Sequence, residues 1–121
     1  MTEKEQATAA LAMIKAVYDD GSAEIGETKY VFTKMNHKNR RSVFAFYSAH
    51  TSAIQTGDFR FLDTPEFDRI EGIINNHVTV NDSALSKLPQ HWDDHAGEYL
   101  LFIQTALGVI SYPFLAGGRT G

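Results

Sequence analysis

The stretch HWDDHAGEYLLFIQTALGVISYPF, residues 91–114, decides how the rest of this chain must be arranged. It begins with acidic and histidine residues and is then apolar on nearly every side as far as Pro113. A helix that is apolar all round must be covered by other elements. We therefore predict the core helix of a small domain, which begins at the HWDDH segment and ends at Pro113, with some apolar surface left for another molecule.

The length and composition of the chain fit one globular domain. It has 121 residues, of which 43% are hydrophobic, and a formal net charge of −4. This length lies near the commonest domain size. We predict a single domain over residues 1–116, followed by a disordered tail over residues 117–121, where the Gly-rich sequence has little to bury.

The composition also limits the sites and partners that the chain can have. It contains no Cys, which excludes disulfides, thiolate zinc sites and Cys nucleophiles. The negative net charge gives no general attraction for nucleic acid. The N-terminal MTEKEQ is charged where a signal peptide needs an apolar run, and the run from Tyr99 to Leu115 is shorter than the roughly 20 residues of a membrane span. We therefore expect a soluble cytoplasmic protein, with no nucleic acid or membrane as its partner.

Local signals divide the region before His91 into helices and a β-hairpin. Residues 23–33 alternate in polarity around Gly26-Glu27, a pair that suits a type II′ hairpin turn. Asn36 can cap the next helix, and Thr64-Pro65-Glu66 has the capping hydroxyl, first-turn proline and carboxylate of a helix start. The predicted fold class is α+β: a mostly helical, small single domain with a short N-terminal β-hairpin packed by helices.

Hydrophobic spacing predicts which helix faces are buried. Ala10, Met13, Ile14 and Val17 recur at helical spacing and predict the first helix. On the second helix, one buried stripe is predicted from Val43, Phe46, Tyr47, His50 and Ile54. Across the chain, the predicted core includes Val43, Phe46, Ile70, Ile74, Leu100, Ile103 and Leu107.

The segment between residues 78 and 88 allows two interpretations at its start. Residues 78–80, VTV, form either a third strand or an extended loop. A turn at Asn81-Asp82 and a short helix from Ser83 to Leu88 are predicted to follow.

The residues His91–His95 include the types found in metal sites. His91 and His95 are four residues apart and would share a helix face, where a transition metal could accept both with a carboxylate. Zinc sites normally have three or four protein ligands, however, and no second His pair is nearby in sequence. We favour the alternative that Asp93 or Asp94 caps the final helix while the His residues lie near the surface, and we predict no metal.

No catalytic residue and no cofactor is predicted. The sequence has no Gly-rich phosphate loop, nucleophile elbow or HExxH motif. The acidic pairs Asp19-Asp20 and Asp93-Asp94 are adjacent residues, which point about 100° apart on a helix and cannot share a substrate. A binding or assembly protein is the better interpretation, and a small enzyme or metal-binding domain is the less favoured one.

A basic patch and several aromatic residues are the candidate partner-binding positions. Lys34, His37 and the residues 38–41 surround the start of the second helix without any recognisable nucleic-acid motif. Aromatic side chains are usually buried, so any that remain exposed would mark a partner surface. The predicted partner-binding residues are Lys38, Arg40, Arg41, Phe44, Phe59, Phe61, Trp92, Tyr112 and Phe114.

Three stretches together resemble a known family. They are EIGETKYVFTKMNHKNRRSVFAFY at 24–47, DFRFLDTPEFDRIEGIINNHVTVNDSALSKLPQHW at 58–92, and GEYLLFIQTALGVISYPF at 97–114. Their layout resembles the small tail assembly chaperones of tailed bacteriophages and prophages. The likeness covers most of the chain, and it lies in the overall pattern rather than in one motif.

The resemblance implies a non-enzymatic protein of the bacterial host's cytoplasm. Its implied partners are the tape measure protein, which it would hold, and the tail tube protein, whose assembly it would aid. An assembly chaperone is also expected to self-associate. The alternative in the same setting is a structural head-tail or tail component that is incorporated in the particle.

Overall fold

The computed structural model describes the backbone of residues 3–120 and the side chains of residues 11–115. Its elements are α1 (Glu3–Asp20), β1 (Ser22–Ile25), β2 (Thr28–Phe32), α2 (His37–Gln55), α3 (Pro65–His77), β3 (Val78–Val80), β4 (Ser83–Ala84), α4 (His91–Asp94) and α5 (Tyr99–Thr120). Short 3₁₀ turns occupy Arg60–Asp63, Leu85–Lys87 and Ala96–Glu98. The predicted α+β class is confirmed, because helices predominate and the short strands form one sheet.

The sheet consists of two antiparallel hairpins joined side by side in the order β1-β2-β3-β4. In the first hairpin Ala23 pairs with Tyr30, and Gly26 has the positive φ of +61° that the predicted turn requires. The central strands are joined by the pairs Val31 with Thr79 and Phe32 with Val78. The predicted hairpin at residues 23–33 is therefore confirmed.

The second hairpin decides between the two interpretations of the segment after α3. Asn81 and Asp82 both have positive φ, +52° and +67°, as a type I′ turn between two strands requires. The strand interpretation of residues 78–80 is confirmed. The predicted helix from Ser83 was wrong at its start, because Ser83 pairs with Val80 in β4 and only a 3₁₀ turn follows.

Two predicted helix starts are confirmed by their capping hydrogen bonds. The side-chain oxygen of Asn36 accepts a bond of 2.8 Å from the N–H of Asn39 at the start of α2. Thr64 accepts one of 3.1 Å from the N–H of Phe67, and Pro65 is the first residue of α3. These local bonds satisfy N–H groups that a helix leaves unpaired at its start.

The core lies between α5, α2, α3 and the sheet. Six of the seven predicted core residues are buried there, namely Val43, Phe46, Ile70, Ile74, Ile103 and Leu107. Leu100 was predicted wrongly, since it is 43% exposed beside Leu101, which is 57% exposed. The face of α5 that carries Leu100 and Leu101 is therefore in contact with solvent in the first turn of the helix.

The predicted start of α5 was wrong. The HWDDH segment forms the separate short helix α4, and the chain turns at His95 before α5 begins at Tyr99. Asp93 and Asp94 are exposed and lie five or more residues before α5, so they do not cap it. The hydroxyl of Tyr99 instead donates to the carboxylate of Glu71 and ties the start of α5 to α3.

The predicted end of α5 was also wrong, because Pro113 lies inside the helix. Proline has no N–H to donate to the carbonyl of Val109, and its ring disturbs the preceding turn. Arg40 supplies a donor next to this gap, since its Nη1 donates to the carbonyl of Ile110 at 2.7 Å. The backbone of α5 is helical to Thr120, beyond the predicted domain end at residue 116; side chains from there on and Gly121 lie outside the described residues.

The contacts of α1 show that it runs parallel to α5. Gly108 leaves room for Ile14, because a Cβ atom at Gly108 would lie 2.7 Å from Ile14 Cδ1. One turn further along both helices, the rings of Tyr18 and Tyr112 are 5.0 Å apart. The helix predicted from the spacing of Ala10, Met13, Ile14 and Val17 is present as α1; Met13 is 72% exposed on it, and the side chain of Ala10 lies outside the described residues.

The segment Ala96–Leu115 has the length and hydropathy of a membrane span. By length and composition alone it is apolar enough to cross a bilayer, and it is the single such helix among the described residues. Core helices of soluble proteins pass the same test, and Phe102, Ile103 and Leu107 of this segment are buried in the core. The absence of a membrane partner stays a prediction.

Candidate partner-binding surfaces

The nine predicted partner-binding residues do not form one surface. Phe61 is buried in the core, where its ring contacts those of Phe46 and Phe67 at 5.5 and 5.6 Å, so its prediction as a surface residue was wrong. The 3₁₀ turn that carries it directs it inward. Phe59 is half-buried beside it. Trp92 packs on the core from another side, 5.1 Å from Phe102.

Five of the nine residues come together at one end of the molecule. The ring of Phe44 in α2 stacks on that of Phe114 in α5, with 4.9 Å between their centroids. Lys38 and Arg41 are exposed in the first turns of α2, and Arg40 is half-buried between α2 and α5. This end of α2 is therefore basic and partly aromatic, as predicted, while Tyr112 packs against α1.

An apolar groove, which the sequence did not predict, lies between α1, α2 and α5. We call it the three-helix groove; its volume is about 410 Å³, and it is lined by Met13, Ile14, Val17, Tyr47, Thr51, Ile54, Gln55, Gln104 and Thr105. Every lining residue within the described side chains, 11–115, is uncharged. Tyr47 and Ile54 belong to the predicted stripe of α2 and are only half-buried, because this stripe forms one wall of the groove.

A hydrogen-bonded cluster of Tyr30, His91 and Glu98 joins the sheet to the segment before α5. The fully buried Tyr30 hydroxyl donates to Glu98 Oε1 at 2.7 Å and lies 2.9 Å from His91 Nε2. A hydroxyl has one proton, so His91 Nε2 carries the proton of the second bond. The prediction that both His residues lie near the surface was wrong for His91, which is 9% exposed and stacks on His95.

The surroundings of this cluster shift the pKa values of all three of its members. Burial and the Glu98 carboxylate raise the pKa of Tyr30 well above its ordinary value. Burial and the neighbouring His95 lower the pKa of His91. Burial acts to raise the pKa of Glu98, but hydrogen bonds from Tyr30, Thr28 and the Glu27 backbone outweigh it and lower the pKa. At neutral pH the cluster therefore holds a neutral Tyr30, a neutral His91 and an ionised Glu98.

A cleft of about 620 Å³ opens beside His91 and His95. Its lining carries both signs of charge, with Lys29 and Lys87 as well as Glu27 and Asp94. Among the residues that the structure describes, no group of three or more His, Asp or Glu side chains is placed to hold a metal ion. The Nε2 atom of His91 is already engaged by Tyr30. That the protein uses no metal stays a prediction.

Replacing Gly26 by Ala should destabilise the protein more than the same change at Gly57. Both glycines have positive φ, +61° and +77°, where a Cβ atom costs about 1–2 kcal/mol. A Cβ at Gly26 would also lie 2.5 Å from Glu98 Oε2, whereas the space around Gly57 is open. We expect an additional loss of about 1 kcal/mol for Gly26→Ala in urea unfolding, from the disturbed Glu98 hydrogen bonds. Equal losses would show that Glu98 is not held in this position.

The stability of the protein should fall as the pH falls below about 6.5, the ordinary pKa of His. Because the folded state lowers the pKa of His91, the unfolded state binds more protons, and folding weakens as the pH decreases. The charges of His95, Glu98 and Asp94 act on the pKa of His91, and the titratable hydroxyl of Tyr30 contacts its Nε2. Glu98, whose pKa is also lowered, adds to the loss at lower pH.

The test compares urea unfolding at pH 7.5 and pH 5.5 for the wild type, His91→Gln and His37→Gln. We expect His91→Gln to reduce the pH dependence more than His37→Gln does, a matched replacement at an exposed position. A wild-type pH dependence in His91→Gln would contradict the assignment.

Comparison with known proteins does not identify the chain. No protein-family model matches it, and neither does any curated protein or solved structure. The functional proposal therefore depends on the surfaces described above and on the resemblance in sequence pattern.

Proposed function

We propose that this chain is a non-enzymatic assembly chaperone of a tailed bacteriophage or prophage. In this proposal it holds an apolar helical segment of the tape measure protein in the three-helix groove and aids assembly of the tail tube protein. The observation that supports it best is the groove itself, a channel between three helices whose described lining is uncharged and includes the exposed Met13.

The groove has the features of a helix-binding site. Helix-in-groove recognition places an amphipathic helix with its apolar face against a hydrophobic channel. Ile14, Val17 and Ile54 supply aliphatic walls, and Met13 supplies a flexible side chain that adapts to different partner residues. Thr51 and Gln104 add polar groups beside them. Such a surface suits a long partner whose successive segments differ in sequence.

Several weak sites on one long partner would be enough for stable association. A tape measure protein is a long helical chain, and linked sites gain avidity without any new contact. The exposed Lys38 and Arg41 would attract acidic partner segments and increase the association rate more than the affinity. Assembly would take place in the cytoplasm of the bacterial host, and self-association of the chaperone would assist it.

The proposal is tested by co-expression of this chain with the tape measure protein of the same phage or prophage genome. We expect the soluble fraction of the tape measure protein to increase when the chain is present, and a complex to be recovered at low salt. If its solubility is the same with and without the chain, and no complex is recovered, the chaperone proposal fails. A structural tail component would then be the better account.

A further inference from the structure

A second cleft, of about 400 Å³, lies at the C-terminal end of α1. Its other walls come from the end of β2 and the loop after it, the start of α2, the last residue of α3 and the middle of α5. Three basic residues, Lys34, Arg40 and His77, line it together with one acidic residue, Asp19. We call it the basic cleft.

The positive charge of the basic cleft is not neutralised within the described part of the chain. The carboxylate of Asp19 is already paired with Lys15 at 2.6 Å. Neither Lys34 nor Arg40 forms an ion pair with any residue between 11 and 115. A group of the opposite charge would therefore be attracted to the cleft.

Arg40 is held in one orientation. Its Nη1 donates to the carbonyl of Ile110 at 2.7 Å, and its side chain is half-buried between α2 and α5. A guanidinium has five N–H donors, so the bond to Ile110 leaves others for a ligand. A planar guanidinium that is already oriented suits an oxyanion such as a carboxylate, and it loses less side-chain entropy on binding.

The other walls indicate which oxyanion fits. Phe32, Met35 and Val109 line the same cleft, and Met35 and Val109 are buried. A carboxylate at the end of an apolar stem can contact these walls with its methylene groups, which a small inorganic anion cannot do. We propose that the basic cleft binds a glutamate or aspartate side chain of an acidic peptide segment.

The position of the cleft connects it to the three-helix groove. Val17 lines the groove and the next residue, Tyr18, lines the basic cleft, so both sites use the last turns of α1, on faces about 100° apart. The identity of the peptide as part of the tape measure protein rests on the proposed function.

The experiment maps amide chemical shifts of the whole chain in NMR titrations with a blocked Gly-Glu-Gly peptide at low salt. The matched probes are blocked Gly-Gln-Gly and inorganic phosphate. We expect saturable shifts around Lys34, Arg40 and His77 with the glutamate peptide only. Because these probes have no apolar side chains, the result does not depend on the groove. A failure here with successful co-expression would overturn only this inference.

Three variants separate the cleft from the basic surface of α2. Lys34→Gln should weaken binding of the glutamate peptide about threefold, the effect of one partly exposed ion pair. Arg40→Gln should weaken it about tenfold, through loss of an oriented charged hydrogen bond. Lys38→Gln removes the same charge outside the cleft and should change the affinity less than about twofold. Lys34 is exposed, so its variant tests the cleft even if Arg40→Gln fails to fold.

Four results would overturn the proposal. The first is equal binding of the glutamine peptide, and the second is a set of shifts confined to Lys38 and Arg41. The third is phosphate binding at the same residues with equal affinity, which would indicate a general anion site. The fourth is the appearance of the same shifts when the free chain is concentrated, which would identify a second copy of the chain as the occupant.

Discussion

Replacing Ile103 by Ala should lower the free energy of unfolding by about 2–5 kcal/mol. Ile103 is 1% exposed and belongs to the cluster of buried side chains that includes Val43, Phe46 and Ile74. Deleting its outer methyl and methylene groups removes apolar burial and leaves a cavity that the surrounding helices fill only in part. Urea unfolding followed by circular dichroism measures the loss.

The matched control is Leu101→Ala, two residues earlier on the same helix. Leu101 is 57% exposed, so its replacement should change the free energy of unfolding by no more than about 0.5 kcal/mol. If Ile103→Ala also stayed within about 0.5 kcal/mol, α5 would not be the core helix of this fold.

Replacing Tyr30 by Phe should cost about 1–3 kcal/mol of stability. The change keeps the buried ring, which lies 4.8 Å from that of Phe102, and removes only the hydroxyl. The N–H of His91 and the carboxylate of Glu98 then lose their shared partner inside the protein. A buried polar group without a partner costs more than the net gain of an ordinary hydrogen bond.

Tyr18→Phe provides the control for the loss of a tyrosine hydroxyl. Tyr18 is partly exposed, and its hydroxyl makes no hydrogen bond to another described side chain, so we expect a change within about 0.5 kcal/mol. Equal effects of the two replacements would mean that the Tyr30 cluster does not hold the sheet to the segment before α5.

The parts of the fold that depend on neighbouring residues could be predicted from the sequence. Asn36 and Thr64 cap helices through bonds that span three residues, and Gly26 supplies a turn between adjacent strands. The fold class and most of the core residues followed from such local signals and from hydrophobic spacing. These features can be predicted without knowing which distant segments contact each other in the fold.

The two ends of α5 could not be predicted because distant contacts override the local signals there. Pro113 is a common stop signal for a helix, but Arg40, 70 residues away from Ile110, donates to a carbonyl beside the disturbed turn. The acidic residues of the HWDDH segment have the composition of a helix start, but His91 bonds to Tyr30 across 61 residues. The segment forms its own short helix as a result.

A candidate surface could be predicted from the sequence only where its residues lie close together on a single helix. Lys38, Arg40 and Arg41 were identified because they are neighbours in sequence. The three-helix groove combines residues of α1, α2 and α5, and its residues, such as Met13, have the spacing of an ordinary buried stripe. Nothing in that spacing separates a covered stripe from a groove wall, so the groove could not be predicted from it.

The most direct test of the proposed function measures how tightly the purified chain binds a soluble segment of the tape measure protein. The variant Met13→Lys places a charge in the three-helix groove, and Val31→Lys places the same charge on the exposed face of the sheet. Both positions are exposed, so both variants should keep the stability of the wild type. We predict that Met13→Lys weakens binding at least about tenfold, a loss of about 1.4 kcal/mol, while Val31→Lys stays within about twofold. Equal affinities of the wild type and Met13→Lys would contradict the claim that the groove holds the partner.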